Sequence, residues 1–388
     1  MTGPLGKGLT EVMLRLSPGL LALAVLLALP AAGALALETK ARSAIMVDAE
    51  SGAVLFAKDA DQQLPPASMS KLMTAYVVFE RLNQGLLSLD DRLPVSEKAW
   101  RMGGSKMFVE VGNSVRVEDL LRGMIVQSGN DAAIVLAEGL SGSEAAFARE
   151  MNEKARELGL THSHFANATG WPNENHFMTA RDLATLARAL IQNFPQFYKY
   201  YSETEFTWNG ITQRNRNPLL FRDIQADGLK TGHTREAGYC LVASAAQEGR
   251  RLILVVMGLG NERERAEEAD RLLSWGFREF TSYRLFQAGE QLDEAPVWMG
   301  AQDSVPLIAP TEIKVNLLRA ARDEMSVKLI YQAPIVAPVQ AGQEVAVLSV
   351  EAPGTPPVDF PVVAGRAVGE AGVLARMIQG ASALIEGN

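Results

Sequence analysis

Apolar and polar positions divide the chain into a helix-and-strand region, a strand-only region and short terminal segments. Ser43 to Val47 and Ala53 to Ala57 are short apolar runs joined by Asp48-Ala49-Glu50-Ser51-Gly52, which predicts a β-hairpin. Pro65-Pro66 pre-set an extended entry, and the run Leu72 to Phe79 has the spacing of a buried helix. Residues 81 to 117 are mixed, with turns at Gly103-Gly104 and Gly112-Asn113. Helices are predicted over Val117 to Val126, from Ala132 onward, and over Ala145 to Leu158. Thr179-Ala180-Arg181-Asp182 reads as a capping box opening a helix to Ile191. From Asp227 the pattern turns to β. Lys230 to Thr234 leads into strands Tyr239 to Ala246 and Arg251 to Leu259, and Glu262 to Phe280 closes the region as an amphipathic helix. Hairpin, helices, hairpin, helix predicts an α/β (α+β) domain, its sheet drawn from both chain ends.

Beyond Gln287 the helical period is gone. Val297 to Met299, Val305 to Ile308, Ile313 to Leu317, Ser326 to Tyr331 and Glu344 to Val350 are short strands between Gly, Pro and Asp/Asn signals. Their spacing predicts a small all-β sandwich domain over 287–370. Residues 371–388 return to helical spacing (Val373, Leu374, Met377, Ile378, Ala381, Leu384, Ile385), a candidate interfacial membrane anchor. With one basic residue, Arg376, and no aromatic, the same stretch suits packing on protein equally well.

The N-terminus has the layout of a secretory signal over residues 1–36. Lys7 and Arg15 are basic, Leu20 to Leu29 is apolar, and Ala34-Leu35-Ala36 is a small-x-small site with cleavage expected after Ala36. An uncleaved anchor is the competing reading, but the apolar run ends at Pro30 and a span needs about 20 residues. Export from the cytoplasm, to where ATP and nicotinamide cofactors are scarce, favours hydrolysis or binding over redox or phosphoryl transfer. Net charge of -8 argues against nucleic acid as a partner. Cys240 is the only cysteine and lies in an apolar run, so no internal disulfide forms and the thiol is read as core.

Chemistry enters with three short motifs in order: Ser68-x-x-Lys71, Ser128-Gly129-Asn130 and Lys230-Thr231-Gly232. On a helix, Ser68 and Lys71 share a face. A serine hydroxyl needs a base within hydrogen-bond reach, and a lysine serves only when burial or nearby cations lower its pKa. In this reading Ser68 attacks a carbonyl, Lys71 takes its proton and Ser128 relays a proton to the leaving amine. Asn130 holds substrate and Lys71; Lys230 lowers the pKa of Lys71 and attracts a carboxylate; Thr231 offers that carboxylate a hydroxyl. The backbone amides of Ser68 and His233 are the expected oxyanion donors. Ser70, beside the lysine in sequence, is read as a packing or helix-start residue.

The trio resembles that of β-lactamases and penicillin-binding proteins. Longer strings narrow it: Asp48-x-x-Ser51-Gly52, Pro66-Ala67-Ser68, Gln127 to Asp131, Thr179 to Asp182, Asn215-Arg216-Asn217, Asp227 to Thr234, Gly238-Tyr239 and Trp275-Gly276-Phe277. Over roughly residues 40 to 365 the chain resembles the serine-type D-alanyl-D-alanine carboxypeptidases, the low-molecular-mass penicillin-binding proteins of bacteria. The resemblance implies a β-lactamase/transpeptidase-like catalytic domain over 37–286 and removal of the terminal D-alanine of peptidoglycan pentapeptides through an acyl-serine. It implies acylation of the same serine by β-lactams, and no cofactor or metal. Ser68, Lys71, Ser128 and Asn130 become the catalytic set and Lys230, Thr231, Gly232 and His233 the substrate contacts. Arg265 matches a family arginine near the substrate carboxylate; a plain surface arginine on a charged helix face is the equal alternative.

Two further readings stand beside this one. A β-lactamase needs a glutamate for deacylating water, and no Glu-x-x-Leu-Asn string lies between Asn130 and Lys230, so lasting acylation by penicillin is expected. A non-catalytic peptidoglycan-binding scaffold would not need both base and nucleophile. His162-x-His164 lacks the partners of a metal site, and the sequon Asn167-Ala168-Thr169 carries no meaning in an exported bacterial protein.

Overall fold

The computed structural model describes residues 9–13, 37–373 and 376–377. The expected leader, apart from Leu9–Met13, and most of the expected C-terminal helix lie outside the described residues. The chain divides into one unit over Leu35–Arg278 and another built on Glu279–Asn388 with the N-terminal strand Leu9–Met13.

The first unit is organised on an antiparallel sheet of β1 (Ser43–Asp48), β2 (Val54–Lys58), β3 (Ala226–Thr234), β4 (Gly238–Gln247) and β5 (Arg250–Leu259), in the order β2-β1-β5-β4-β3. The chain ends supply it, as the alternation of hairpins and helices predicts. Every residue of β1 is buried, so both faces of the sheet are covered. Parity sorts them: Ile45, Val47, Ile253 and Val255 enter the main core cluster, whereas Met46 and Leu252 point the other way. Phe56, the register partner of Met46, meets Trp275 of α6 (Glu262–Glu279) edge-on at 6.3 Å.

On the core face lie α1 (Lys71–Asn83), α2 (Val117–Val126), α3 (Asn130–Ser141), α4 (Glu144–Glu157) and α5 (Ala180–Asn193). From Leu72 to Phe79, α1 is buried all round, the mark of a helix at the centre of a core. Its two polar groups there are partnered: the Thr74 hydroxyl donates to Ala168 O at 2.7 Å, and the Tyr76 hydroxyl accepts from Asn193 Nδ2 at 2.9 Å. Thr179 caps α5 by accepting from the Asp182 amide at 3.0 Å, as expected. The reciprocal half of the box is not made; Asp182 instead accepts from the His162 amide and the Ser163 hydroxyl.

Two local expectations need correction. Ser68 does not sit in the α-helix but in a 3-10 turn, Ala67–Ser70, and α1 begins at Lys71. Lys230 to Thr234 is not a lead-in but part of a strand in its own right, the free edge of the sheet.

The second unit is β-rich. A seven-stranded sheet runs Leu9–Met13, Ser326–Gln332, Glu344–Ala352, Thr355–Ala364, Ser304–Ile308, Gln291–Trp298, Ile335–Val336, and Phe280–Phe286 pairs separately with Ile313–Leu318. It has its own core, which includes Val305, Leu307, Leu329 and Leu348. Cys240, in β4 of the first unit, is fully buried, and burial pushes its thiol up to about 11.

Candidate active site

The turn that carries Ser68 is held from three sides. Ala67 adopts φ +49°, a left-handed conformation that a non-glycine residue takes only when its surroundings enforce it. Gly170 lies against its carbonyl so closely that a Cβ there would be 1.7 Å from Ala67 O. The Ser70 hydroxyl donates to the same oxygen at 3.0 Å, and His176 Nε2 lies 2.8 Å from Ser70 Oγ. Ser70 is therefore more than a packing residue, because it joins the nucleophile's turn to a buried histidine.

Lys71 is buried, and its Nζ has three neighbours: Ser68 Oγ at 2.9 Å, Asn130 Oδ1 at 2.7 Å and Thr169 O at 2.7 Å. Asn130 is oriented by its own amide, which donates to Gly103 O at 2.9 Å, so its oxygen faces the lysine. Burial, followed by the nearby Arg216 guanidinium, pushes Lys71 down to about 7, against a smaller opposing pull from Asp131. The cation expected to do this was Lys230. Its own pKa is driven well down by burial, then by Lys71, Arg216 and Arg265. Guanidinium groups keep their protons where ammonium groups lose theirs, so the lysines yield.

Ser128 and Asn130 flank the start of α3. Ser128 has φ +65°, and among the described residues its buried Oγ has no hydrogen-bond partner. Behind them the Asp131 carboxylate accepts from the amides of Met107, Phe108 and Val109 at 2.9, 2.8 and 3.2 Å, tying that loop to the helix N-terminus.

The edge strand β3 closes the other side. Lys230 and Thr231 are buried, and Lys230 Nζ donates to Thr231 O at 3.2 Å. At Gly232 the strand touches the nucleophile's turn: a Cβ would come within 2.8 Å of Pro66 O. His233 is exposed and stacks on Tyr239, with ring centroids 4.0 Å apart. The buried Arg265 sits over the same Tyr239 ring at 5.8 Å, and burial pushes its pKa down. Ser68, Ser128, Thr231, His233, Arg216 and Arg265 line one cleft of about 910 Å3.

Every residue expected at the site thus lies at this cleft or in the cluster behind it. The motifs left out His176, Thr169 and the individual part of Arg216, which donates to Ser105 Oγ at 2.6 Å. Arg216 stood inside a recognised string. His176 and the Thr169 carbonyl left no local mark, since each acts through a contact distant in sequence. Asn167, met as a sequon, has a structural part: its Oδ1 accepts from the amides of Thr169, Gly170 and Trp171, shaping the loop that delivers that carbonyl.

Sequence and structure comparisons agree. The D-alanyl-D-alanine carboxypeptidase family profile matches residues 30–261, and that of the penicillin-binding protein 5 C-terminal domain matches residues 280–370. The D-alanyl-D-alanine carboxypeptidase DacD of Escherichia coli is 38% identical over 348 residues, 88% of this chain and 90% of that protein. The crystal structure of penicillin binding protein 5 from Haemophilus influenzae superimposes with a TM-score of 0.80 at 37% identity, covering 86% of this chain and 99% of that one. The DacD structure from Francisella tularensis gives a TM-score of 0.77 at 31% identity, over 90% of this chain and 97% of that one.

Proposed function

The chain belongs to the D-alanyl-D-alanine carboxypeptidase family, and from that premise we propose that Ser68 is its acylated nucleophile and Lys71 the base. The protein is a serine-type hydrolase that removes the terminal D-alanine from peptidoglycan pentapeptides and binds β-lactams. The observation that carries the assignment is the geometry around Lys71 Nζ. Two of its neighbours, Asn130 Oδ1 and Thr169 O, are carbonyl oxygens that can only accept. A neutral amine has two N–H bonds, both taken by these carbonyls, so its lone pair faces Ser68 Oγ.

Ser68 Oγ then attacks the carbonyl carbon of the penultimate D-alanine as its proton passes to Lys71 Nζ. The oxyanion is met by the backbone amides of Ser68 and His233. Ser128 hands a proton to the departing amine and takes one back from Lys71, free D-alanine leaves, and the acyl group stays on Ser68 with Lys71 neutral again. Water gives a proton to Lys71 as it attacks the ester, and Lys71 passes that proton to the departing Ser68 Oγ, releasing the shortened peptide. Thr231, Lys230 and Arg265 hold the terminal carboxylate, with Gly232 keeping the strand close. A β-lactam ring opens on Ser68 by the same first step.

Labelled penicillin should attach covalently to the purified protein and fail to attach to Ser68→Ala; label retained on that variant would refute the assignment. Release of D-alanine from a D-Ala-D-Ala peptide separates the enzyme from a binding scaffold. We place the protein outside the cytoplasm with its substrate, the segment 371–388 touching the outer face of the inner membrane. Val373 and Met377 are exposed apolar residues at its start, and no helix among the described residues is long and apolar enough to cross a membrane. Deleting 372–388 should move the protein to the soluble fraction.

A further inference from the structure

Arg216 stands between two asparagines, Asn215 and Asn217, whose side chains are both buried. Neither takes part in the reaction steps. Asn217 makes two separable contacts. Its Oδ1 accepts from the Leu219 amide at 3.1 Å, capping the 3-10 turn Pro218–Phe221. Its Nδ2 donates at 2.8 Å to the carbonyl of Gly228, two residues before Lys230 in the edge strand β3. Asn215 completes the fixture, accepting from the Asn217 amide at 2.9 Å and donating to Glu203 O at 2.9 Å. Gly228 is itself a fixed point. A Cβ there would lie 2.6 Å from the Tyr198 hydroxyl, and the neighbouring Asp227 carboxylate takes both Arg251 NH groups at 2.7 Å.

The Asn217 contact spans a repulsion. Arg216 from the 215–217 segment, Lys230 from β3 and Arg265 from α6 bring like charges to the place where the substrate carboxylate is held. Like charges push apart the elements that carry them. β3 has a strand neighbour on one side only, so no second ladder resists this push. A neutral, buried amide does. Beyond it, Arg216 donates to Ser105 Oγ at 2.6 Å, and Ser105 O accepts from the Asn130 amide at 2.7 Å, which ties the segment to the lysine side of the site. We infer that Asn217 is a positioning residue for this reaction, holding the Arg216 segment and the edge strand at one spacing so that both cations meet the substrate carboxylate. The inference rests on the carboxypeptidase reading given above and adds to it a residue that touches neither substrate nor nucleophile.

The test compares benzylpenicillin with its methyl ester, which lacks the carboxylate, as acylating agents of the whole protein, followed by the mass of the intact adduct. Wild type should react about thirtyfold faster with the acid, the scale of a charge-assisted contact. Asn217→Ser keeps the cap, since serine caps as well as asparagine, but is too short to reach Gly228 O. Its acid-to-ester ratio should fall to about five, one hydrogen bond's worth, with the loss on the acid. Asn217→Ala, which gives up the cap as well, should show the same ratio with a lower urea midpoint. Only folded protein reacts, so the ratio does not register stability as such. Thr179→Ala, which removes the cap of α5, should lower the midpoint and keep the wild-type ratio. An unchanged ratio in both Asn217 variants, an equal fall in Thr179→Ala, or failure of both Asn217 variants to fold overturns the positioning role. Wild type that reacts equally with acid and ester overturns it too, by removing the carboxylate contact, and leaves the acyl-serine standing. Wild type that reacts with neither takes down the carboxypeptidase reading itself.

Discussion

Lys71 is an amine that must shed its charge in a cleft it shares with Lys230, Arg216 and Arg265. A neutral amine can take the Ser68 proton and an ammonium cannot, so acylation should follow the deprotonated fraction. With Lys71 held at about 7, the second-order rate of penicillin acylation should climb through pH 7 and level off above it. Because Arg216 contributes to that depression, Arg216→Gln should move the climb to higher pH; an unmoved profile would remove Arg216 from the account. The second residue-scale prediction concerns His176. Burial pushes its pKa down to about 4, so it stays neutral at working pH and supports Ser70 through a single N–H. His176→Ala should slow acylation about tenfold, roughly one lost hydrogen bond to the turn. His176→Gln, which keeps an N–H donor, should recover most of the rate. Ser70→Ala combined with His176→Ala should be no worse than either alone, measured as acylation rate rather than as binding of intact β-lactam.

At the scale of elements, the site is made where the 3-10 turn, the start of α3 and the edge strand β3 are pressed together. Gly232 sets the spacing between strand and turn. Gly232→Val would drive β3 off Pro66 O, and overpacking of this kind costs about 1–3 kcal/mol. Acylation should fall more than stability does, since the His233 amide moves with the strand; urea midpoints and labelling rates measured together check this. Asp131→Ala should instead lower stability, by about 2–3 kcal/mol for three orphaned amides at the 107–109 loop. Much of this level is legible in the sequence because its signals are local. The Thr179 cap, the burial of α1 and the hairpins follow from turn residues and apolar period. Phe280–Phe286 is not legible, because it continues without a break from α6 and carries no turn signal. Thr355–Ala364 holds Pro356, Pro357 and Pro361, which argue against a strand inside a sheet. It is tolerated because Ser304–Ile308 pairs it only at Val363 and Ala364, so the prolines face a single partner strand. The catalytic trio could be read as three separate motifs. The brace of His176, Ser70 and Gly170 could not, because His176 to Ser70 and Gly170 to Ala67 join residues far apart in the chain.

At the scale of the molecule, Leu35–Arg278 and the β-rich unit each carry their own core. Residues 37–278 expressed alone should fold and take up labelled penicillin at close to the full-length rate. A truncated protein that is folded by circular dichroism yet unlabelled would show that the site depends on the second unit. The Ser128 hydroxyl adds a calorimetric consequence. Among the described residues it has no hydrogen-bond partner, so a ligand that supplies an acceptor or donor gains a hydrogen bond there. Acylation of Ser68 brings such groups into the cleft; the acyl group stays on the chain when it unfolds, but its contacts exist only in the folded state and raise its unfolding temperature. A scan of the penicillin-treated protein should therefore show the endotherm from residues 35–278 moving up and that of the β-rich unit staying where it was.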